Sequence, residues 1–369
     1  MAEKTTLLLK DQLFNEETVG IVADCIVNAY PDLDKRSFTD DIVRGFPNRE
    51  LKERMSWMRE IIEKYLPDNY ETTIAILLNS LKNVTAAGDF TFSSYTDYVM
   101  ANGCKREHLE LSLNTIGEFT KFFSGEFAIR RFINEFPEET YEKMEEWSLS
   151  DNVDQRRLAS EGLRPKLPWA IGINFDYKKG AQVLDNLYYD NERYVTRSVA
   201  NHLNDLSKID PDYVVEILDK WQKSKKQTDK EMSYIIGHAL RTSIKRGHIN
   251  TLEFLGYNRE PEIEVKQLKI LKKDLKLGEY LEFSFDIIAM KKESLIIDYK
   301  ITYPMANNKT SEKVFKIKKA VIKKGDPLTV EKRHLFKKMT TKKLYSGDYK
   351  IEIQINGKIY EGGRFNLKV

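Results

Sequence analysis

The 369-residue sequence has few of the residues that metal centres and disulfide frameworks require. It contains two cysteines, Cys25 and Cys104, and five histidines, and no histidine lies near a cysteine at zinc-site spacing. These absences predict a reducing compartment and neither a disulfide, a metal nor another cofactor. No apolar run approaches the roughly 20 residues of a membrane-spanning helix, and MAEKTTLLLK lacks a signal-peptide cleavage pattern. We therefore expect a cytoplasmic protein without a membrane partner.

The net charge of +3 conceals an uneven distribution along the chain. Residues 259–369 contain 26 basic and 15 acidic residues, a net charge of +11, whereas residues 1–258 contain 34 and 42, a net charge of −8. Such an asymmetry indicates a basic module that faces a polyanion. A lysine-rich surface that only improves solubility is the alternative, and charge alone does not separate the two.

Up to about Gly256 the apolar residues recur with helical spacing, as in ELKERMSWMREIIEKYL. The helices also repeat, because PEETYEKMEEW and PDYVVEILDKW share their proline-to-tryptophan spacing 74 residues apart. Ala159, Ala200 and Ala239 occupy equivalent places in three other segments, with steps of 41 and 39 residues. A period near 40 residues is typical of HEAT-like solenoids, in which helix pairs bury their apolar faces against neighbouring pairs. The tryptophans that end the two matching segments are then expected to pack in the core.

Beyond Gly256 the apolar period changes to two residues, in segments such as EYLEFSFDII and DYKIEIQI. Roughly seven short strands, separated by GD, NG and GG turns, predict an antiparallel β-sandwich of immunoglobulin type. The fold class expected is therefore an all-α HEAT-like repeat solenoid over 1–258, followed by a small all-β immunoglobulin-like sandwich over 259–369.

SEGLRPKLPW, residues 160–169, interrupts the helical pattern in an unusual way. Pro165 and Pro168 restrict the backbone and end the helix, so they stiffen a segment that presents one glutamate and one tryptophan. A glutamate on a helix is usually solvated or ion-paired, and Arg157 and Arg164 lie at helical spacing from Glu161. The residue pattern alone leaves both a structural and a functional role open.

This motif, together with GEFAIRRF at 125–132, resembles the AlkC branch of the HEAT-like repeat alkylpurine DNA glycosylases. KDQLF (10–14) and ELKERM (50–55) also match, and the resemblance extends over essentially the whole chain. Some members of this branch end in an immunoglobulin-like domain. The resemblance implies a monofunctional, metal-independent DNA-repair hydrolase that cleaves the N-glycosidic bond of cationic alkylated bases in double-stranded DNA. The bases implied are 3-methyladenine and, as a second candidate, 3-methylcytosine, and the protein implied is a bacterial, nucleoid-associated monomer.

The resemblance also implies a set of catalytic carboxylates. Carried over motif by motif, they are Glu126 in GEFAIRRF, Glu161 in SEGLRP and an aspartate of the next repeat. The segment HLND offers Asp205 for the third position, with Asp210 and Asp212 as nearby alternatives. Carboxylates suit this chemistry because negative charge stabilises an oxocarbenium-like sugar and a carboxylate can activate water.

The remaining site residues implied are those that contact the substrate and the DNA. Trp169 is expected to face the cationic base or the sugar through cation–π attraction. The DNA-binding residues expected are Arg130, Arg131, Arg157, Arg164, Arg197 and Lys166. Ion pairs between repeats are the alternative for part of this arginine row. The lysine-rich segments 316–324 and 334–343 of the β region are also expected to contact DNA.

A function of another class remains open from the sequence. HEAT-like solenoids most often serve as protein-interaction scaffolds, and a fold does not by itself establish catalysis. In that case Trp169 anchors a partner peptide and the β region is a docking module. Release of free alkylated base in the presence of EDTA separates the two classes.

Overall fold

The computed structural model describes residues 8–84, 90–306, 309–338 and 343–369. Most of the segment considered for a signal peptide, and residues 339–342 of the lysine-rich segment 334–343, lie outside the described residues. The chain divides into two compact units, Met1–Leu206 with Lys225–Ala239 and Ser207–Ser224 with Leu240–Val369. The sequence-derived boundary between residues 258 and 259 stays a prediction.

The first unit is helical. Its α-helices are α1 (Leu9–Leu13), α2 (Glu16–Ala29), α3 (Lys35–Arg44), α4 (Leu51–Tyr65), α5 (Tyr70–Ser80), α6 (Ser93–Asn102), α7 (Leu109–Phe119), α8 (Ile129–Glu135), α9 (Pro137–Ser148), α10 (Val153–Gly162), α11 (Tyr177–Gln182), α12 (Leu184–Leu187), α13 (Arg193–Leu206) and α15 (Asp229–Ala239). Short 3₁₀ helices lie at Phe90–Phe92 and Arg106–His108. None of the helices in the described part of the chain is long and apolar enough to cross a membrane.

Three helices of this unit, α10, α13 and α15, repeat the same packing. Ala159, Ala200 and Ala239, which the sequence aligns, are all inaccessible to solvent, and α13 packs against both α10 and α15. Helix α10 begins at Asn152, whose side chain accepts hydrogen bonds from two backbone amides of the first turn. Helix α9 before it begins with Pro137, which suits the first position of a helix. The helical repeat predicted from the sequence is confirmed.

The second unit combines helices with the β-strands. Its helices are α14 (Pro211–Ser224), α16 (Arg241–Arg246) and α17 (Ile249–Phe254). Its strands are β1 (Ile263–Ile270), β2 (Asp274–Lys276), β3 (Tyr280–Ala289), β4 (Glu293–Pro304), β5 (Thr310–Ile322), β6 (Pro327–Leu335), β7 (Gly347–Ile355) and β8 (Lys358–Lys368). Hydrogen bonds from the Gln354 side chain to the Lys245 carbonyl and from the Asn356 side chain to the Asn258 carbonyl join the helical segment to the strands.

The strands form two sheets, with the orders β1–β3–β6 and β2–β8–β7–β4–β5. The all-β domain of immunoglobulin type predicted from the sequence is confirmed, with one strand more than expected. The additional strand β2 has three residues, runs parallel to β8 and lies among lysines, so it shows no apolar alternation. Strand β5, which carries the lysines of KVFKIKKAVI, pairs with β4 and occupies the end of the five-stranded order.

A buried carboxylate gives the second unit a pH-dependent stability. Asp298 lies beside a β-bulge of β4 and is 4% exposed, and burial raises its pKa to about 6 against the opposing charges of Lys245 and Lys316. An acid with a raised folded-state pKa destabilises the fold when it ionises, so the loss of stability develops as pH rises from about 4 to 6. We expect Asp298→Asn to raise the free energy of unfolding by about 2 kcal/mol at pH 8 and to change it little at pH 4.

Urea unfolding at both pH values measures this effect, and Asp326→Asn, in an exposed turn of the same unit, is the control. An equal effect of Asp298→Asn at pH 4 and pH 8 contradicts the prediction.

Candidate functional site

The three carboxylates implied by the motifs lie in one chain of ion pairs within the first unit. Arg157 bridges two of them, with Nη1 3.0 Å from Oε2 of Glu126 and Nη2 3.7 Å from Oε1 of Glu161. Arg164 bridges Glu161 and Asp205, at 2.8 Å from a carboxylate oxygen of each. The chain alternates in sign and, with three acids and two arginines, has one net negative charge.

Helix α10 determines the spacing of this chain. Arg157 and Glu161 are four residues apart on one face of the helix, and Arg164 lies just beyond its C-terminal end, three residues after Glu161. Glu126 comes from the turn that precedes α8, and Asp205 comes from the last turn of α13. Successive helical layers thus each contribute one member of the site.

This chain of ion pairs is shielded from solvent. The side chains of Glu161 and Asp205 are 5% and 3% exposed, and that of Glu126 is 17% exposed. Burial alone lowers the pKa of Arg157, but the charges of Glu126 and Glu161 raise it above its ordinary value. Burial and the charges of Glu161 and Asp205 act on the pKa of Arg164 in the same way, with a net rise. Paired charges in a partly dry site have fixed positions, as electrostatic stabilisation of a bound cation requires.

Two buried side chains form hydrogen bonds with carbonyl groups at the C-terminal end of α10. The last carbonyl groups of a helix have no donor within the helix itself. Nδ1 of His202 lies 3.0 Å from the Ser160 carbonyl oxygen, and Nη1 of Arg130 donates to the carbonyls of Gly162 and Arg164 at 3.0 and 2.8 Å. Burial lowers the pKa of His202 to about 4 and, with the charge of Arg164, that of Arg130 to about 10. Sequence reasoning missed His202.

Trp169 lies in the loop between α10 and α11. Its φ of +64° falls in the left-handed region, which is sparsely populated by bulky residues, and its side chain is 68% exposed. Its carbonyl oxygen accepts a hydrogen bond of 2.8 Å from Nζ of Lys52. Residues held in such a conformation cluster at functional sites, because the surroundings must stabilise them. The role of the indole ring as a contact for the base or the sugar stays a prediction.

A cavity of about 400 Å³ opens beside Glu126 and Arg157, and Ser124, Asp154 and Tyr194 also line it. Oγ of Ser124 donates to Glu126 at 3.0 Å and accepts from Arg157 at 3.0 Å. The Arg157 guanidinium lies 4.8 Å from the ring centre of Tyr194, and burial raises the pKa of Asp154. Sequence reasoning missed these three lining residues. Helical spacing could have found Asp154, which lies seven residues before Glu161 on α10.

The residues expected to bind DNA fall into two groups. The first group belongs to the site itself and consists of the buried Arg130 and Arg164 and the half-buried Arg157. Because Arg130 is inaccessible to solvent and donates to backbone carbonyls, the structure gives it a structural role in place of the expected phosphate contact. The exposed group consists of Arg131, Arg197 and Lys166. Ion pairs between repeats, the alternative for this row, are present at Arg157 with Glu126 and at Arg164 with Asp205.

Each carboxylate of the site lies beside an arginine guanidinium. Across residues 8–84, 90–306, 309–338 and 343–369, no group of three or more His, Cys, Asp or Glu side chains is placed to hold a metal ion. The acids of the site lie apart, each beside a guanidinium. The arrangement therefore offers fixed negative charge and a possible acceptor for a proton from water.

Comparisons with known proteins agree with this architecture. Residues 264–369 match the family described as "Uncharacterised protein YhaZ, C-terminal Ig-like domain". The chain is 32% identical over 361 residues to the uncharacterized protein YhaZ of Bacillus subtilis strain 168, covering 96% of this chain and 98% of the relative. It also resembles the Pseudomonas fluorescens alkylpurine DNA glycosylase AlkC, solved bound to DNA containing an abasic site analogue, with a TM-score of 0.89 and 30% identity over 98% of this chain and 100% of that one. The chain therefore belongs to the YhaZ family, within the AlkC branch of the alkylpurine DNA glycosylases.

Proposed function

We propose that this protein is a DNA glycosylase that removes cationic N-alkylated bases from double-stranded DNA, 3-methyladenine first and 3-methylcytosine as a second candidate. The observation that carries the proposal is the solvent-shielded chain of ion pairs. In it, two arginines hold three carboxylates in fixed positions. Membership of the AlkC branch supports it, because the Pseudomonas fluorescens AlkC is an alkylpurine DNA glycosylase.

The proposed reaction is hydrolysis that needs no acid. Alkylation at a ring nitrogen gives the base a positive charge, so the base can leave with the electron pair of the C1′–N bond without being protonated. The sugar becomes oxocarbenium-like as this bond breaks, and water then supplies hydroxide to C1′ while a carboxylate accepts the proton. The products are the neutral alkylated base and an abasic site.

The burial of each carboxylate indicates its role in this scheme. Glu126 is the most exposed of the three and lines the cavity, so it has the access to solvent that activation of water requires. Glu161 and Asp205 are almost inaccessible and supply the fixed negative charge that stabilises the sugar cation. Trp169 adds cation–π attraction, worth about 0.5–2 kcal/mol when it faces a cation.

The basic surface suits the proposed substrate. Arg131, Arg197 and Lys166 are exposed, as contacts with phosphates require. Residues 259–369 carry a further net charge of +11. We propose that the protein acts as a monomer on DNA. An interaction scaffold, the alternative class, gains nothing from three shielded carboxylates, because burying charge costs desolvation energy.

Release of base without metal tests the proposal. Duplex DNA carrying 3-methyladenine, incubated with the protein in EDTA, is expected to yield free 3-methyladenine and abasic sites. Because the three proposed catalytic side chains, Glu126, Glu161 and Asp205, are carboxylates and not amines that form a Schiff base, borohydride is expected to trap no covalent enzyme–DNA adduct. Chromatography of the released base and gel analysis of the DNA measure both results. Absence of release from a folded protein contradicts the glycosylase assignment, and a trapped adduct contradicts the monofunctional one.

A further inference from the structure

The loop between α10 and α11, residues 163–176, is fixed through its backbone by three side chains from other segments. Nζ of Lys52 on α4 donates to the Trp169 carbonyl at 2.8 Å. Nε of the buried Arg130 donates to the Ile171 carbonyl at 2.6 Å. The Asn134 amide donates to the Gly172 carbonyl at 3.0 Å and accepts from the Asn174 amide at 2.8 Å. We call residues 163–176 the Trp169 loop, and these three side chains its clamp.

The clamp has a simple origin in the sequence. Arg130 and Asn134 lie four residues apart, so they are on one face of α8, and both reach the loop one repeat further along the chain. Lys52 comes from the ELKERM motif and lies 117 residues before Trp169. The matching motifs of the chain therefore meet at the backbone of this loop.

Two side chains of the Trp169 loop face solvent. Trp169 and Ile171 are 68% and 50% exposed, although both are large and apolar. A surface loop ordinarily satisfies its carbonyl groups with water and moves freely. Here the carbonyl groups of Trp169, Ile171 and Gly172 instead accept hydrogen bonds from protein side chains. The backbone of Trp169 also has a φ of +64°. Such preorganisation matters only if the exposed side chains must meet a partner in one position.

We infer that Lys52 and Asn134 are positioning residues, which with Arg130 hold Trp169 in place for the damaged nucleotide. The inference rests on the proposed function, because the partner of the loop is the alkylated DNA. A loop that arrives already ordered loses no conformational entropy when it binds, and an indole displaced by about 1 Å loses much of its effect on the reaction. Lys52 and Asn134 act through the loop backbone and not on the substrate itself.

Trp169 is the most exposed of the four tryptophans, because Trp147 and Trp221 are buried and Trp57 is half-buried, so the fluorescence that is lost in Trp169→Phe reports on this positioning. In Lys52→Met and Asn134→Ala, time-resolved fluorescence anisotropy, corrected with Trp169→Phe, is expected to show a larger nanosecond component for Trp169. Single-turnover excision of 3-methyladenine is expected to fall roughly tenfold to a hundredfold. Lys52→Arg, which keeps a donor, is expected to restore both properties in large part.

Matched variants separate positioning from loss of stability. Lys64→Met removes a lysine from the same helix, where it pairs with Asp41, and Asn250→Ala removes an exposed asparagine that pairs with Asp212. Both controls are expected to leave the anisotropy and the excision rate unchanged. If the clamp acts through Trp169, Lys52→Met has little additional effect in a Trp169→Ala background, because the two changes remove the same contribution.

Additive effects in that double variant, or unchanged Trp169 anisotropy in both clamp variants, overturn the inference. The anisotropy is measured on the protein without DNA, so it tests the clamp independently of catalysis. If the wild-type protein releases no base, the proposed function fails while the anisotropy still decides whether the clamp holds the loop.

Discussion

Glu161→Gln is expected to lower the single-turnover rate of 3-methyladenine excision by about 10²–10³-fold. The substitution keeps the size of the side chain and removes its charge. Glu161 is 5% exposed and touches both Arg157 and Arg164, so its charge acts where water screens it little. The substitution removes the negative charge at the centre of the chain of ion pairs, so a developing sugar cation is stabilised less. The net charge of the three acids and two arginines changes from −1 to zero.

Binding of DNA is expected to change much less than the rate. Glu161 is 4% exposed, so the substitution leaves unchanged the accessible side chains for which we propose phosphate contacts. Fluorescence binding measurements and rapid-quench kinetics on the same duplex separate the two quantities. Glu146→Gln, which removes an exposed partner of Lys143 on α9, is the control and is expected to behave like the wild type. A near-normal rate for Glu161→Gln identifies Glu161 as a structural ion-pair residue only.

Arg164→Met is expected to lower the free energy of unfolding by about 3–5 kcal/mol. The methionine fills much of the space, but it leaves Glu161 with Arg157 alone at 3.7 Å and removes from Asp205 the guanidinium at 2.8 Å. Buried carboxylates that lose a cation are costly to keep ionised. Urea unfolding at pH 7 measures the loss.

The loss should depend on pH in a defined direction. Without Arg164 two buried negative charges lose a cation partner, and this cost is relieved in acid, so the variant is destabilised most at neutral pH and recovers relative to the wild type as pH falls. Arg106→Met removes an arginine that pairs with Glu139 on the surface, and this control is expected to leave stability unchanged at every pH. A pH-independent loss for Arg164→Met points to packing and not to charge.

Glu126 and Glu161 could be located because both lie inside motifs that resemble the AlkC branch, but Asp205 lies in an ordinary helix. Its position follows from the repeat. Arg164 and Asp205 are 41 residues apart, the same step that separates Ala159 from Ala200. In a stacked helical repeat, equivalent positions of adjacent repeats touch, so the partner of a residue lies one period along the chain.

The same reasoning disfavours the neighbouring aspartates. Asp212 accepts a hydrogen bond from the side chain of Asn250, and Asp210 accepts one from the amide of Tyr213 at the start of α14. Neither is offset from Arg164 by one period. We therefore propose Asp205 as the third carboxylate, a choice that the sequence left open.

Other features could not be read from the sequence. The two prolines of SEGLRPKLPW predict a stiff segment, but the stiffness of the Trp169 loop also depends on donors from Lys52 and Asn134, whose partners are backbone atoms. Backbone acceptors are the same in every residue, so no pattern of side chains reveals them. The burial of Arg130 was missed for the same reason, since its partners are carbonyl groups.

Strand β5 has a consequence for protein engineering, because it lies at the end of its sheet and carries the lysines of KVFKIKKAVI. Unpaired strand edges recruit other strands, and charged side chains, lysine above all, are a common defence against aggregation. The positive charges that suit DNA therefore also keep this edge from joining another sheet. Substituting these lysines with neutral residues to map DNA contacts removes both the attraction to DNA and the protection of the sheet edge. Substituting them with glutamate reverses the attraction to phosphate but leaves the edge charged.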